Sequence, residues 1–149
     1  MADLLGNTAL IAAIAGLVSA QILKPLISIA TGGGFRLYLF ITTGGMPSSH
    51  TSAVVALTTS VAITEGLGSP LFAICVIISL IIMNDATNVR LETGKQAKLL
   101  NEWSEIFAAH ESGISPQNLK TMIGHSAKQV LAGLALGIIV GAAVTLWLS

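Results

Sequence analysis

Charge is scarce in this chain. Of its 149 residues, 9% are Asp, Glu, Lys or Arg, against roughly a quarter in ordinary soluble domains. That scarcity argues against a soluble enzyme, a disordered chain and a charge-driven nucleic-acid binder. Cysteine is nearly absent as well. Cys75 is the sole thiol, so an intrachain disulfide is excluded, and its apolar setting reads as a small core hydrophobe. Seven basic and seven acidic residues cancel, so net charge points to no partner. What the chain has in abundance is apolar side chains, 53% of the total, with a mean hydropathy of +0.83. The composition predicts one all-α domain over 1–149, a polytopic integral membrane protein.

Met1-Ala2-Asp3 lacks the basic region of a secretory signal, and the apolar stretch behind it is too long for one. The N-terminus is therefore expected to stay in the mature fold. Four apolar segments follow: about Leu4 to Leu23, Thr51 to Ile63, Pro70 to Met83 and Ala127 to Leu148. A helix rises about 1.5 Å per residue against a hydrocarbon layer of about 30 Å. The first and fourth segments are long enough to span. The second and third reach that length by carrying polar residues, from Ser48-Ser49-His50 and out to Asp85–Arg90, which predicts a shared polar pocket.

Four spans put the 24–47 and 84–126 connections on one side of the membrane. All seven basic residues (Lys24, Arg36, Arg90, Lys95, Lys98, Lys120 and Lys128) fall on that side or at its margin. The positive-inside rule makes it the cytoplasmic side of what is expected to be the cell membrane. Within the first connection, Thr31-Gly32-Gly33-Gly34 and Thr42-Thr43-Gly44-Gly45 bracket a piece fit for a short re-entrant or interfacial element. Within the second, Leu99, Leu100, Trp103, Ile106 and Phe107 recur at helical spacing and predict an amphipathic interfacial helix, broken by Ser112-Gly113-Ile114-Ser115-Pro116.

Three corners on that side can carry chemistry. Gly44-Gly45-Met46-Pro47-Ser48-Ser49-His50 opens an apolar helix, whose first N–H groups and positive dipole end suit a phosphate. Ser48 and Ser49 would add hydroxyls, and His50 a proton-transfer group. A capped helix with an interfacial histidine is the plain alternative. Gly124-His125-Ser126 is a second helix start on the same side. Asn84–Arg90 is the third: Asp85 can fix a histidine tautomer and Arg90 can fork onto a phosphate. Continued as an α-helix, Asp85, Asn88, Glu92 and Gln96 would share one face. Lys24 is either an interfacial lysine or a further phosphate contact, and His110 reads as interfacial. Asp85 and Glu92, two turns apart with no His/Cys cluster, make a poor metal site. Small residues at four-residue intervals, Gly133/Gly137/Gly141 and Ala12/Gly16/Ala20, form seams for close helix packing. They fit packing inside the chain or a homodimer equally well.

The block Gly44–His50, with Asp85-Ala86, Val89-Arg90, Gly94-x-Gln96-Ala97-x-x-Leu100-Asn101 and Gly124-His125…Val130-x-x-Gly133, resembles the divergent branch of the type-2 phosphatidic acid phosphatase superfamily, related to acid phosphatases and vanadium-dependent haloperoxidases. The resemblance runs from Lys24 to Gly133. It implies a helical membrane hydrolase that cleaves a lipid phosphate or pyrophosphate without a metal or other cofactor, through a phosphohistidine. By motif position His125 resembles the nucleophile, His50 the general acid, Ser48 and Ser49 the phosphate cradle, and Lys24 the lysine of the first motif. The implied partners are a lipid phosphate and the surrounding membrane lipids, with no nucleic acid. The sequence departs from the wider pattern at Thr31 and Leu119, where arginines are usual, and at Gln129, where an acid is usual. Leu91 stands where the branch has a second arginine. Arg36 is a candidate replacement near position 31, Arg90 for the missing guanidinium, and Asp85 for the missing carboxylate. The alternative reading of these departures is a non-catalytic protein that binds or transports a phosphate-bearing lipid or anion. A further one, a metal-dependent phosphotransferase, would use Asp85 and Glu92.

Overall fold

The structure, a computed structural model, describes residues 6–35, 37–40, 44–110, 118, 119, 121 and 125–149. Arg36, Thr42, Thr43, Gly124 and the 112–116 breaker lie outside the described residues. The elements are α1 (Thr8–Ala30), a short 3-10 turn (Leu37–Phe40), α2 (Ser49–Glu65), α3 (Pro70–Asn84), a π turn (Asp85–Val89), α4 (Arg90–His110) and α5 (Ala127–Leu148). No strand occurs among the described residues.

Local chemistry sets the helix starts. The Asn7 side chain accepts from Leu10 N at 3.0 Å. Ser69 accepts from Phe72 N at 3.1 Å, and Pro70 follows it at the first helical position, where its missing N–H costs nothing. Gly66, with φ +81°, ends α2 in a backbone conformation that suits glycine.

α2 is the centre of the bundle, with α1, α3 and α5 around it, and the contacts fix their directions. Gly16 of α1 lies against Ser52 and Ala56, while Lys24 reaches back to Ser49, so α1 runs antiparallel to α2. Gly133, Gly137 and Gly141 meet Ser48, Ser52 and Ala56 in ascending order, so α5 runs parallel to α2. Cys75 and Ser79 of α3 meet Thr58, with Ser79 also donating to the Val54 carbonyl, so α3 is antiparallel. The end of α1, the start of α2, the end of α3 and the start of α5 therefore share one end of the bundle. Cys75 is buried in the core, as its apolar setting predicts.

Among the described residues, three helices are long and apolar enough to cross a membrane: α1, the continuous Pro70–His110 rod and α5. Of the four spans expected from sequence, α2 alone falls outside this set. α2 has 17 residues, about 26 Å at 1.5 Å per residue. Its low apolarity has a physical reason: it faces neighbouring helices on three sides, not lipid. Its hydroxyls tie it to each of them. Ser52 Oγ donates to the Gly16 carbonyl of α1 at 2.9 Å. Thr58 and Ser79 of α3 share a hydrogen bond at 2.9 Å. Thr145 of α5 donates to Ser60 Oγ at 2.8 Å. In lipid such bonds hold helices together where the hydrophobic effect does not.

The small-residue seams lie inside the chain. A Cβ on Gly137 would stand 2.7 Å from Val55 Cβ and 2.8 Å from the Ser52 carbonyl oxygen, and one on Gly16 would stand 2.7 Å from that same oxygen. α2 fills both seams, so they are not free for a second copy. Gly137→Val is therefore expected to lower the thermal unfolding midpoint in detergent by several degrees, since overpacking against backbone costs about 1–3 kcal/mol. Gly68→Ala, with open space around it, should leave the midpoint unchanged.

The amphipathic helix is not a separate element. α4 continues α3 through the π turn, and Leu99, Leu100, Trp103, Ile106 and Phe107 remain exposed along it. His110, at its last turn, is exposed with Nδ1 beside the Ile106 carbonyl.

Candidate functional site

Lys24 is the group that most needs an explanation. It sits near the end of α1 at 2% exposure, and its Nζ donates to Ser49 Oγ at 3.2 Å. Gly45, with φ +90°, turns the chain over the lysine stem, its Cα close enough that an added Cβ would sit 3.9 Å from Lys24 Cδ. The glycine pair before the helix therefore lets the 44–47 backbone approach the lysine. Ser48 then caps α2: its Oγ accepts from Thr51 N at 3.4 Å and from Thr51 Oγ1 at 3.0 Å. Ser48 N donates to the Gln129 carbonyl at 3.0 Å, which docks the start of α2 onto α5. The N–H groups of Ser49 and His50 stand in the first turn, where a helix has no internal acceptor for them.

The two serines have different surroundings. Ser49 Oγ meets the Lys24 ammonium, whereas Ser48 is fully enclosed, with its hydroxyl held by Thr51. Thr51, unnoticed in the sequence, belongs to this corner at 0% exposure.

The histidines occupy opposite environments. His125 is buried at 5% exposure, while His50 is exposed at the helix mouth. His125 N donates to the Ala86 carbonyl at 2.9 Å, and Gln129, one turn on, holds Ser48. Both imidazoles thus belong to adjoining helix starts. The charges acting on the His50 ring are those of Arg90, Lys24 and Asp85, so the third corner faces the same place.

That third corner does not follow an unbroken α-helix. The π turn widens the spacing, and Arg90 Nε donates to Asp85 Oδ2 five residues away at 2.5 Å. Asn88 bonds back to Asn84, and Glu92 pairs with Lys95. The single face predicted for Asp85, Asn88, Glu92 and Gln96 is therefore corrected. The extra residue in the turn redirects them, and the bond that the structure gives Asp85 is to Arg90. Asp85 and Glu92 each have a cation of their own. Arg36 lies outside the described residues.

Gln129 accounts for its own departure from the wider pattern. Its Oε1 accepts from Ser126 N at 2.9 Å, the backward half of a capping box at the start of α5. A carboxylate could make the same bond, and the neutral amide makes it without adding charge.

A family model described as the divergent PAP2 family matches residues 5–140. The chain belongs to the divergent PAP2 family. It is 35% identical over 147 residues to the "Uncharacterized membrane protein YuiD" of Bacillus subtilis (strain 168), covering 92% of this chain and 93% of that protein. No solved structure matches it. The family match, the helical bundle and its three apolar helices make this an integral membrane protein related to phosphatases.

Proposed function

We propose that the protein hydrolyses a lipid phosphate or pyrophosphate without a metal, through a phosphohistidine. The observation that carries this reading is the buried Lys24 ammonium set against Ser49 at the mouth of α2. An ammonium enclosed at a membrane boundary is expensive, and here a hydroxyl and a helix N-terminus converge on it, which is the chemistry of a phosphate pocket. His125 attacks phosphorus, and His50, in contact with water, protonates the leaving oxygen. Lys24, Ser49 and Arg90 neutralise the phosphoryl oxygens. Ser48 shapes the pocket through the helix start that it caps. Asp85 holds Arg90 and sets the charge beside His50. Water then releases phosphate from His125, with His50 as the base.

The apolar surroundings support a lipid substrate. A cleft of about 350 Å³ lies beside α2 between α3 and α5, lined by Val55, Phe72, Val76, Leu80, Met83 and Leu134 among others. Met83 stands two residues before Asp85, so the cleft leads toward the polar corner. The cytoplasmic side of the cell membrane fits the basic residues gathered at that end.

The test is phosphate release by the purified protein from phosphatidic acid and from an isoprenyl pyrophosphate, with chelator present and with vanadate. Chelator-resistant, vanadate-sensitive release is the expected result. Tight phosphate binding without release would favour the alternative of a binding or transport protein, to which the neutral Gln129 gives a specific motive. Release abolished by chelator would favour the metal-dependent reading.

A further inference from the structure

Two sets of contacts hold the chain at Leu119 and at His125. Asn101 lies on α4, about three turns beyond the π turn. Its Nδ2 donates to the Leu119 carbonyl at 2.9 Å, and its Oδ1 accepts from Leu119 N at 2.9 Å. A carboxamide carries both a donor and an acceptor, so it can satisfy both backbone groups of one residue. Such a clasp fixes the course of a backbone and ignores the side chain on it. Six residues later, His125 N donates to the Ala86 carbonyl inside the π turn. One continuous helical rod therefore holds the chain at Leu119 and again at His125. Leu119 stands where the wider pattern has an arginine. Its own side chain is exposed, and its backbone is what the structure holds.

We propose that Asn101 is a positioning residue for His125: the α3–α4 rod, through the Asn101 clasp and the Ala86 carbonyl, sets the place and angle at which the imidazole meets phosphorus. This rests on the reading of His125 as the nucleophile. Attack in line with the leaving oxygen tolerates little displacement, and a misplacement of about 1 Å can cost on the order of a hundredfold in rate. Without the clasp, the Ala86 carbonyl still retains His125 N, but the hold at Leu119 is lost. Substrate binding through Lys24, Ser49 and Arg90 does not pass through Asn101.

The test uses the full chain in detergent, with short-chain phosphatidic acid as the probe and Asn101→Ala and Asn101→Asp as variants. Asn101→Ala is expected to lower kcat about tenfold or more while KM stays within about twofold. Asn101→Asp keeps the acceptor for Leu119 N and loses the donor, so its kcat should fall between the two. A second readout needs no turnover: ethoxyformylation by diethyl pyrocarbonate, with each modified histidine located by mass spectrometry. His125 should react several times faster in Asn101→Ala, with the His50 rate unchanged. Wild-type kcat and an unaltered His125 rate in Asn101→Ala would overturn the proposal and leave the phosphatase reading standing. A faster rate at both histidines with a lowered unfolding midpoint would also overturn it, since Asn101 would then serve the fold as a whole. If the wild type releases no phosphate from any lipid, the phosphatase reading fails and the labelling still decides whether Asn101 sets the position of His125.

Discussion

His125→Ala is expected to remove phosphate release entirely, and His50→Ala to leave part of it. The difference follows from the two roles. A nucleophile that carries the phosphoryl group has no substitute in a pocket of this kind, so the His125 variant should fall to the uncatalysed rate on every substrate. A general acid contributes on the order of 10²–10⁴-fold, and less where the leaving group needs no proton. Phosphoenzyme formation in His50→Ala should therefore be slow from phosphatidic acid, whose leaving alkoxide is basic, and largely recover from an aryl phosphate, whose phenolate leaves unaided, while hydrolysis of the phosphohistidine, which uses His50 as base, stays slow after both. Rapid-quench trapping in the wild type should show an acid-labile, base-stable phosphoryl group, located on His125 by peptide mapping. Wild-type turnover in His125→Ala would remove the phosphohistidine mechanism, and equal losses in the rate of phosphoenzyme formation from both substrates in His50→Ala would remove the assignment of the acid.

The burial contrast between the histidines was not legible in the sequence. Both precede apolar helices, and both sit among small and polar residues. Position in the bundle separates them: α5 lies parallel to α2 with Gly133 against Ser48, and His125 is tucked beneath the π turn, while His50 stands one residue inside an open helix mouth. The helix N-terminus itself was legible, because Pro-Ser-Ser before an apolar run carries capping chemistry in its residue types. So were α1 and α5, from length and hydropathy alone, but not the joining of the third apolar segment and the amphipathic stretch into one rod. The π turn was not. Nothing in Asp85-Ala86-Thr87-Asn88-Val89 distinguishes an i+5 turn from an i+4 one, and the tertiary bond made there, from His125 N to the Ala86 carbonyl, comes from 39 positions away. The central place of α2 was half legible: its serines and threonines show that it does not face lipid, but not which helices receive their hydroxyls. Asn101 belonged to the motif that carries the family resemblance, yet its partner is a backbone, and a backbone partner leaves no trace in residue types.

Lys24→Met should separate the anion site from the scaffold. Methionine nearly matches the length of the lysine stem and fills the same space without a charge. Removing a buried cation lifts its desolvation penalty, and apolar replacements of buried charges are often neutral or stabilising. Ser49 loses a donor but keeps its own hydroxyl proton to offer elsewhere. The unfolding midpoint should therefore stay level or rise. The activity should fall on the order of 10²–10³-fold, because a fixed cation aimed at developing phosphoryl charge contributes most in a site closed to water. The loss should appear in kcat/KM and in the vanadate inhibition constant together, since vanadate presents the same charged oxygens. Were Lys24 a structural residue, the order would reverse: the variant would unfold at lower temperature, and the molecules still folded would turn over normally. A stable Lys24→Met protein with undiminished vanadate affinity would show that the anion binds elsewhere, and the convergence of α1, α2 and the π turn would then need another purpose.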